Sequence, residues 1–530
     1  MSFAQPKRSF LRPIFAATAL LALVLGGAVA SRVALADDSA NYPAASQTAP
    51  TDPAALIARG KYLSEAADCM PCHTGPNHAP FSGGLVMNTP FGGLPTPNIT
   101  PDKQTGIGNW SDRDFYNALH YGDAPGHSYL VFPKFLYPAM PYTSYTKLSY
   151  ADVMAIKAYL FSLAPVNAPE VPSTMKFPFN QRPVLLGWRI LFFHAGPLKM
   201  NPAWNDSMKN GAYLTEALGH CGECHTPRNI MSGLILSQAY AGAPIDAYFA
   251  PNISSDKATG VGAWAQSDLV AYLHDDGNMV KGSAFGPMAE VVKNSTSQIP
   301  VSDDVDIANY LQTQTAPQNT PPTPAVADAA ASVARGAKVY AASCAACHGQ
   351  TGGGLPPMVP NLAGNDSVMA TQPTNVIGAV LSGLPAWKVG PAMPSFATSM
   401  SDQQIADVTN YVRTSMGNTA TADAAPSDVS ALRAIADVPK SANQASNAFG
   451  CPHISAAGGA EAVADPGNNL LGIYNGATPE TLPNRTRALA SAIRAGNSSI
   501  SKADLTNDLV AAYCPLIANA PGLNVAQRRA

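Results

Sequence analysis

The stretch Gly219-His220-Cys221-Gly222-Glu223-Cys224-His225-Thr226-Pro227-Arg228 contains the pattern Cys-x-x-Cys-His. The same pattern occurs at Cys69-Met70-Pro71-Cys72-His73 and at Cys344-Ala345-Ala346-Cys347-His348. The three copies use six of the eight cysteines, so a chance match does not explain them. Two cysteines three positions apart share one side of a helical turn, and the histidine follows directly.

This pattern is the attachment signature of a c-type haem, because paired thiols reach the two vinyl groups of one porphyrin and the imidazole binds iron. A structural zinc site would need about four ligands, with pairs within about 20 residues. Here the motifs lie 152 and 123 residues apart (221 − 69; 344 − 221). A thioredoxin-like dithiol would need a βαβ context, which the sequence lacks. The pattern therefore predicts three covalent haems c (heme c), attached at Cys69, Cys72, Cys221, Cys224, Cys344 and Cys347, with His73, His225 and His348 as iron ligands.

The sixth iron ligand in each segment is predicted to be a methionine. Met140 and Met393 each stand before a proline and two positions after another. The prolines fix φ and predict a rigid extended loop, suited to holding a soft thioether against iron. Met288 follows Pro287 in the middle segment, where Met279 competes with it. Methionine ligation raises the reduction potential. The remaining candidates are interpreted as ordinary histidines, since a methionine is available in each segment: His120, His127, His220 and His274.

The parts around each motif recur, which predicts one small helical unit repeated three times. Short helices are expected before the motifs, at 59–63, 210–214 and 335–340, and after them, at 153–160, 305–311 and 405–412. Each later helix carries a tyrosine, interpreted as core: Tyr159, Tyr310 and Tyr411. The block 97–110 parallels 251–264 at an offset of 154 (251 − 97), which indicates duplication. The fold class is therefore all-α, with domains at 50–165, 200–315 and 330–418.

The N-terminus is typical of a secretory signal. Lys7, Arg8 and Arg12 precede an apolar run over 14–30, and small residues follow. We expect residues 1–36 to be a cleaved signal peptide, with an uncleaved anchor as the alternative. Export agrees with haem c, which is attached outside the bacterial cytoplasm. No other run of about 18 apolar residues is present, so the mature chain is not expected to span a membrane. The formal net charge of −3 argues against nucleic acid as a partner.

The tail and one apolar stretch have no place in the repeat. Residues 430–530 are predicted to form a small, mainly helical segment with a Cys451–Cys514 disulfide, as a lone cysteine pair in an oxidising compartment indicates. The stretch 185–193, Leu-Leu-Gly-Trp-Arg-Ile-Leu-Phe-Phe, is too short to span a bilayer. Docking on a bilayer or partner, lining a quinone pocket and packing between domains all remain open for it.

From about residue 50 to 416 the chain resembles the triple-haem cytochrome c subunit of membrane-bound dehydrogenases, of which the quinoprotein alcohol dehydrogenase complex is the best-known example. The residues that carry the resemblance are 219–228, Pro97-Asn98-Ile99-Thr100-Pro101-Asp102-Lys103, Tyr137-Pro138-Ala139-Met140-Pro141-Tyr142 and the three motifs in order. The resemblance implies three tandem class I cytochrome c-like domains. It also implies the ligand sets Cys69, Cys72, His73 and Met140; Cys221, Cys224, His225 and Met288; Cys344, Cys347, His348 and Met393.

The resemblance implies a non-catalytic electron-transfer subunit on the periplasmic side of the bacterial inner membrane, peripheral or anchored. Its expected partners are a catalytic dehydrogenase subunit, with PQQ as candidate cofactor and alcohol as expected substrate, together with membrane ubiquinone and the membrane surface. An aldehyde, gluconate or other sugar dehydrogenase is the alternative. A multihaem peroxidase and a soluble electron carrier are the rivals of another class, and the sixth iron ligand discriminates the peroxidase from a cytochrome subunit.

Overall fold

The computed structural model describes residues 50–129, 132–245, 247–278, 280–315, 323–355, 359–384 and 392–435, together with 487, 488, 490, 491 and 494. The predicted signal peptide 1–36 and the predicted Cys451–Cys514 disulfide lie outside these residues. The described parts of Met1–Ser64 and Cys72–Leu198 form one compact unit, and those of Glu65–Pro71 and Lys199–Ala530 form another. The second and third haem motifs therefore belong to the same compact unit.

Helices are the main elements along the chain. Up to residue 198 they are α1 (Pro53–Ala66), α2 (Cys69–Cys72), α3 (Asp112–His120), α4 (Tyr142–Tyr145), α5 (Tyr150–Ser162) and α6 (Leu185–Phe192). From residue 199 they are α7 (Asp206–Tyr213), α8 (Gly222–His225), α9 (Gln266–His274), α10 (Pro287–Asn294), α11 (Val301–Leu311), α12 (Ala329–Ser343), α13 (Ala345–His348), α14 (Thr374–Ser382), α15 (Asp402–Thr414) and α16 (Pro426–Ile435). A π-helical turn, Leu214–Leu218, continues α7, and short 3₁₀ turns occupy Arg182–Val184, Leu236–Gln238, Val261–Ala263 and Thr296–Gln298.

Side-chain caps fix where several of these helices begin. Ser111 accepts a hydrogen bond from the Asp114 backbone at the start of α3, and the Asp114 carboxylate accepts one from the Ser111 backbone. Ser401 and Gln404 form the same reciprocal box at the start of α15. Such a box satisfies backbone N–H groups that have no partner within the first helical turn.

A glycine lies where the first helix of each segment crosses the last. A Cβ added to Gly60 would lie 1.9 Å from the Ala155 carbonyl oxygen, and one added to Gly211 would lie 2.0 Å from the Asp306 carbonyl oxygen. In the third segment α12 crosses α15 in the same way at Gly336. The tyrosine predicted as core follows the contact in each case, its Cβ at 2.8 to 2.9 Å from the added atom: Tyr159, Tyr310 and Tyr411. Their predicted packing across the first helix is confirmed.

The all-α prediction is incomplete. The described residues are helix-rich, but they also contain four two-stranded antiparallel sheets. These pair β1 (Val86–Thr89) with β2 (Gly92–Pro95), β3 (Asp123–Tyr129) with β4 (Phe132–Phe135), β5 (Ala243–Ile245) with β6 (Tyr248–Ala250), and β7 (Gly277–Asn278) with β8 (Gly282–Ser283). Seven of these eight strands have two to four residues, too few for the alternation by which a strand is recognised in a sequence. The seven-residue β3 contains Pro125 and Gly126 and pairs with β4 through two register shifts, so it does not alternate regularly. The strands lie between the first and last helices predicted for the first two segments and turn the chain back there.

The third segment has a core that extends beyond its predicted end at residue 418. Helix α16 begins at Pro426, before the predicted start of the tail, and buries Val429 and Leu432 against α14 and α15. Ile377 and Ile405 belong to the same buried cluster. In the part of the chain that the structure describes, no helix is both long and apolar enough to cross a membrane.

Candidate haem sites

Each Cys-x-x-Cys-His motif coincides with a short helix that directly follows the first helix of its segment. These are α2, α8 and α13. The helical turn places the two cysteines of a motif on one side, as the spacing predicted. Cys72 and Cys347 are exposed, whereas the first cysteine of each motif is partly buried.

The motif histidines are oriented by proline carbonyl groups. Nδ1 of His73 lies 2.9 Å from the Pro97 carbonyl oxygen, and Nδ1 of His225 lies 2.7 Å from that of Pro251. With a carbonyl as acceptor, the proton is assigned to Nδ1, and Nε2 keeps its lone pair for a metal. In the third segment the Pro360 carbonyl lies beside the His348 ring, as the Pro97 and Pro251 carbonyls lie beside theirs. Nδ1 of His348 does not reach full hydrogen-bond geometry with it.

Burial sets the protonation states of these groups. It lowers the pKa of His73, His225 and His348, and the hydrogen bond to a proline carbonyl only partly opposes it. The imidazoles are therefore neutral, which is the metal-binding form. Burial, with repulsion from the second cysteine of the motif as a smaller cause, raises the pKa of the Cys221 and Cys344 thiols to about 12. Such thiols are not activated nucleophiles at neutral pH.

The middle segment encloses a cavity that brings the predicted ligands together. Cys221, Cys224, His225 and Met288 all line it. Its empty volume, including the part open to solvent, is about 1550 Å³. Its walls are mainly aliphatic and aromatic, with contributions from Leu214, Tyr248, Val261, Leu269, Leu273 and Phe285.

These residues fit a covalent haem c. Two thiols stand beside a neutral imidazole, a thioether lines the same cavity, and the walls are apolar, as a porphyrin requires. The indole Nε1 of Trp264, a further lining residue, is buried and makes no full hydrogen bond within the protein. Cys221 and Cys224 would hold the group covalently, and His225 and Met288 would bind its iron.

The other two methionines are partly buried in different settings. Met140 lies in a turn, where its own backbone N–H donates to the Tyr137 carbonyl at 3.0 Å. The extended loop that the prolines predicted is therefore wrong for Met140. Met393 is extended, since it exchanges backbone hydrogen bonds of 2.9 and 3.0 Å with Leu384, and it packs against the core of the third segment. Their pairing with His73 and His348 stays a prediction.

The remaining histidines differ in setting. His120 stacks on Tyr116 with 4.8 Å between ring centroids, and Nδ1 of His274 lies 2.9 Å from the Asp304 carboxylate. His127 is exposed on β3. His220 lines the same cavity as His225, so its interpretation as an ordinary histidine stays a prediction. Met279, the competitor of Met288, lies outside the described residues.

Sequence reasoning missed the residues that support the ligands. Pro97 and Pro251 open the duplicated blocks 97–110 and 251–264, so the repeat itself held the signal for the two carbonyl acceptors. The crossing glycines also recur at one position of each segment. By contrast, two charged residues of the middle cavity, Lys281 and Asp366, have no sequence signal because they come from different segments.

A haem-attaching electron carrier requires an imidazole held in its metal-binding tautomer. Here a carbonyl group holds the imidazole, which follows directly after a pair of thiols and faces an apolar cavity. The fold and site thus define the class as c-type cytochromes. The family model described as cytochrome c matches residues 333–415, which lie in the third segment.

Comparison with curated proteins narrows the class. The chain is 38% identical over 439 residues to the gluconate 2-dehydrogenase cytochrome c subunit of Pantoea cypripedii, covering 78% of this chain and 94% of that protein. It is 36% identical to the cytochrome c subunit of the quinone alcohol dehydrogenase of Gluconobacter oxydans, covering 72% and 82% of the two chains. It is 36% identical to the fructose dehydrogenase cytochrome subunit of Gluconobacter japonicus, covering 69% and 81%. The chain belongs to the cytochrome c subunits of membrane-bound dehydrogenases, and it is an electron-transfer subunit that partners a catalytic dehydrogenase subunit.

Proposed function

We propose that this chain holds three covalent haems c in tandem class I cytochrome c domains, and that it carries electrons from its dehydrogenase partner to ubiquinone in the membrane. The observation that carries the proposal is the placement of His225, fixed by Pro251, in one apolar cavity with Met288. The same histidine–proline contact at His73 and Pro97 supports an equivalent site in the first segment. When bound, the haem supplies one-electron redox chemistry at its iron.

Residues of this chain would attach the three haems and bind their irons. The proposed attachment residues are Cys69, Cys72, Cys221, Cys224, Cys344 and Cys347, and the proposed iron ligands are His73, Met140, His225, Met288, His348 and Met393. With a methionine as well as the histidine bound to it, the iron would have no open position for peroxide, which favours electron transfer over a peroxidase activity. The methionine also raises the reduction potential, which suits an acceptor that receives electrons from a dehydrogenase.

The proposed electron donor is a dehydrogenase that oxidises a hydroxyl-bearing substrate. Three relatives are cytochrome subunits of gluconate, alcohol and fructose dehydrogenases, and these three names describe hydroxyl compounds. An alcohol dehydrogenase with a PQQ-containing catalytic subunit is the donor that the sequence favours. Gluconate, fructose and aldehyde dehydrogenases are the alternative donors to the same three haems.

We further propose export by the 1–36 signal and a place against the periplasmic face of the inner membrane. Helix α6 supports this because its charge points inward and its apolar side chains point outward. The Arg189 side chain is only 11% exposed and lies over the Phe135 ring at 4.6 Å, whereas Ile190 and Leu191 are 63% and 56% exposed. A helix surface of this kind suits the headgroup boundary of a bilayer.

The test compares membranes from the source cell with and without the gene. Ethanol, an aldehyde, gluconate and fructose are added one at a time, and haem c reduction is recorded optically, with and without added ubiquinone analogue. The proposal expects one substrate to reduce haem only when the gene is present, and the analogue to reoxidise it. Covalent haem in the purified chain should amount to three per polypeptide; a smaller number, or haem that binds peroxide, would overturn the proposal.

A further inference from the structure

The cavity of the middle segment is closed partly by the third segment. Asn375 of α14 accepts a hydrogen bond from the Phe249 backbone N–H at 2.9 Å and donates one to the Phe249 carbonyl at 2.8 Å. Phe249 lies on β6, and both residues line the cavity. Because the pair of bonds is buried, breaking it would leave two backbone groups without partners. The third segment is thereby fixed against the wall of the second haem site.

A second contact lies at the same junction. The β7–β8 hairpin carries Lys281, whose backbone N–H donates to the Asn278 side chain at 2.7 Å. Gly282, with φ +84°, approaches the third segment so closely that an added Cβ would lie 2.5 Å from Asn365 Nδ2. This approach places Lys281 Nζ 3.1 Å from the carboxylate of Asp366.

Lys281 and Asp366 are the only Lys, Arg, Asp or Glu residues among the described residues that line this cavity. Their side chains are only 16% and 20% exposed. Lys281 Nζ also lies 4.8 Å from the centroid of the Trp264 ring. Burial raises the pKa of Asp366, and the Lys281 ammonium opposes this rise by favouring the ionised carboxylate. The Trp264 indole N–H adds a smaller effect in the same direction as Lys281, without reaching full hydrogen-bond geometry.

We propose that the Lys281–Asp366 ion pair keeps the charge at the wall of the second haem site balanced, with Asp366 of the third segment compensating the Lys281 ammonium, so that neither charge shifts the reduction potential of the second haem. Reduction adds one electron, and therefore one negative charge, to an apolar cavity that holds these two opposite charges at its wall. Charges in such surroundings are weakly screened, so the field of each side chain acts on the added electron. While the two side chains are paired, their fields largely cancel. If either charge is removed, the field of the other shifts the equilibrium between the oxidised and reduced forms of the second haem.

The proposal deepens the electron-transfer function and rests on it, because it needs a haem in the middle cavity. It also gives the two segments a coupled role. The Asp366 carboxylate of the third segment compensates the charge of Lys281, which would otherwise favour the reduced form of the second haem.

The experiment is an optical redox titration of the purified full-length holoprotein, wild type and variants, at about pH 8, where an isolated carboxylate is ionised. Asp366→Asn leaves the Lys281 charge uncompensated and should favour the reduced form about threefold to tenfold. A tenfold change corresponds to 59 mV for one electron. Lys281→Met should move the same wave in the opposite direction. The double variant Lys281→Met with Asp366→Asn should return near the wild-type potential.

The matched control is Asp402→Asn. Asp402 pairs with Arg433 at 2.8 Å within the third segment and does not line the cavity, so all three waves should stay in place. The affected wave is assigned to the second haem by Met288→Ala, which should move the same wave. The double variant also guards against misfolding, since it tests charge balance with both side chains altered.

The outcomes separate this inference from the function on which it rests. Three one-electron waves in the wild type with no movement in either single variant would overturn the inference alone. Equal shifts of all three waves, or shifts of one sign in both single variants, would reduce the ion pair to a structural contact. Fewer than three waves in the wild type would instead contradict the proposed triple-haem function.

Discussion

The Cα atom of Gly336 packs against the backbone of Asp407 so closely that a Cβ at this position would lie 2.0 Å from the Asp407 carbonyl oxygen. Real side chains do not approach backbone oxygens at this distance. Helices α12 and α15 therefore cross at backbone contact, and the glycine is a requirement of the crossing. The same relationship at Gly60 and Gly211 shows that each motif segment brings its first and last helices together in one way.

Replacing Gly336 with alanine should therefore destabilise the third segment. Forcing a methyl group into a packed contact costs about 1–3 kcal/mol, more than the gain of about 1 kcal/mol in helix propensity. The measurement is the free energy of unfolding of the holoprotein in urea, followed by circular dichroism. The matched control is Gly187→Ala in α6, where an added Cβ meets nothing within 4 Å. Equal effects of the two substitutions would contradict the close-crossing argument.

Arg413 should be the most sensitive charged residue of the third segment. Its side chain is 1% exposed, and it donates to the carbonyl oxygens of Val368, Ala370 and Gln372 at 2.9, 2.9 and 3.1 Å. It also pairs with the buried carboxylate of Asp423 at 3.1 Å.

Arg413→Met would leave these acceptors and the carboxylate buried without their donor, so we expect a loss of about 3–5 kcal/mol in unfolding free energy. Urea titration measures the loss. Lys209→Met, which removes an exposed partner of Asp206, is the control and should change little. Comparable stability of the two variants would show that Arg413 is not the centre of this network.

The sequence predicted the motif helices and the flanking helices because their signals are local. Cys-x-x-Cys-His has a fixed spacing, and the apolar face of Ile405, Val408 and Val412 has a helical period. It could not predict the acceptors of Arg413, since these lie some 40 residues earlier and depend on how α14 and α15 meet. It also missed the strands, because all of them except β3 have two to four residues and carry no period. The Lys281–Asp366 pair was missed because an ion pair between segments carries no sequence pattern.

His120 should make the first segment less stable in acid. Burial lowers the pKa of His120 to about 4, below the usual value of about 6.5 expected for the unfolded chain. Between these values the unfolded chain binds a proton that the folded chain does not, so stability is lost as the pH falls through about 6.5 toward 4. From about pH 7.5 to pH 5 this amounts to about 2 kcal/mol.

The measurement compares wild type with His120→Phe at both pH values. Phenylalanine keeps a ring to stack on Tyr116, which lies 4.8 Å away, but it cannot take up a proton. On going from the higher to the lower pH, the wild type should therefore lose about 2 kcal/mol of unfolding free energy that the variant does not lose. An unchanged difference would mean that His120 is protonated in the folded state as readily as in the unfolded chain.

Met288, rather than Met279, should control the potential of the second haem, because Met288 lines the cavity that contains His225. Met288→His would replace a thioether by an imidazole, which stabilises the oxidised iron relative to the reduced iron. One of the three reduction waves should fall by more than about 59 mV, a tenfold change in the reduction equilibrium, within the about 0.8 V range that axial ligands span. Optical redox titration measures the fall, and Met279→Leu should leave all three waves in place. If a reduction wave moves only in Met279→Leu, Met279 is the iron ligand. If no wave moves in either variant, His220, which lines the same cavity, becomes the candidate ligand.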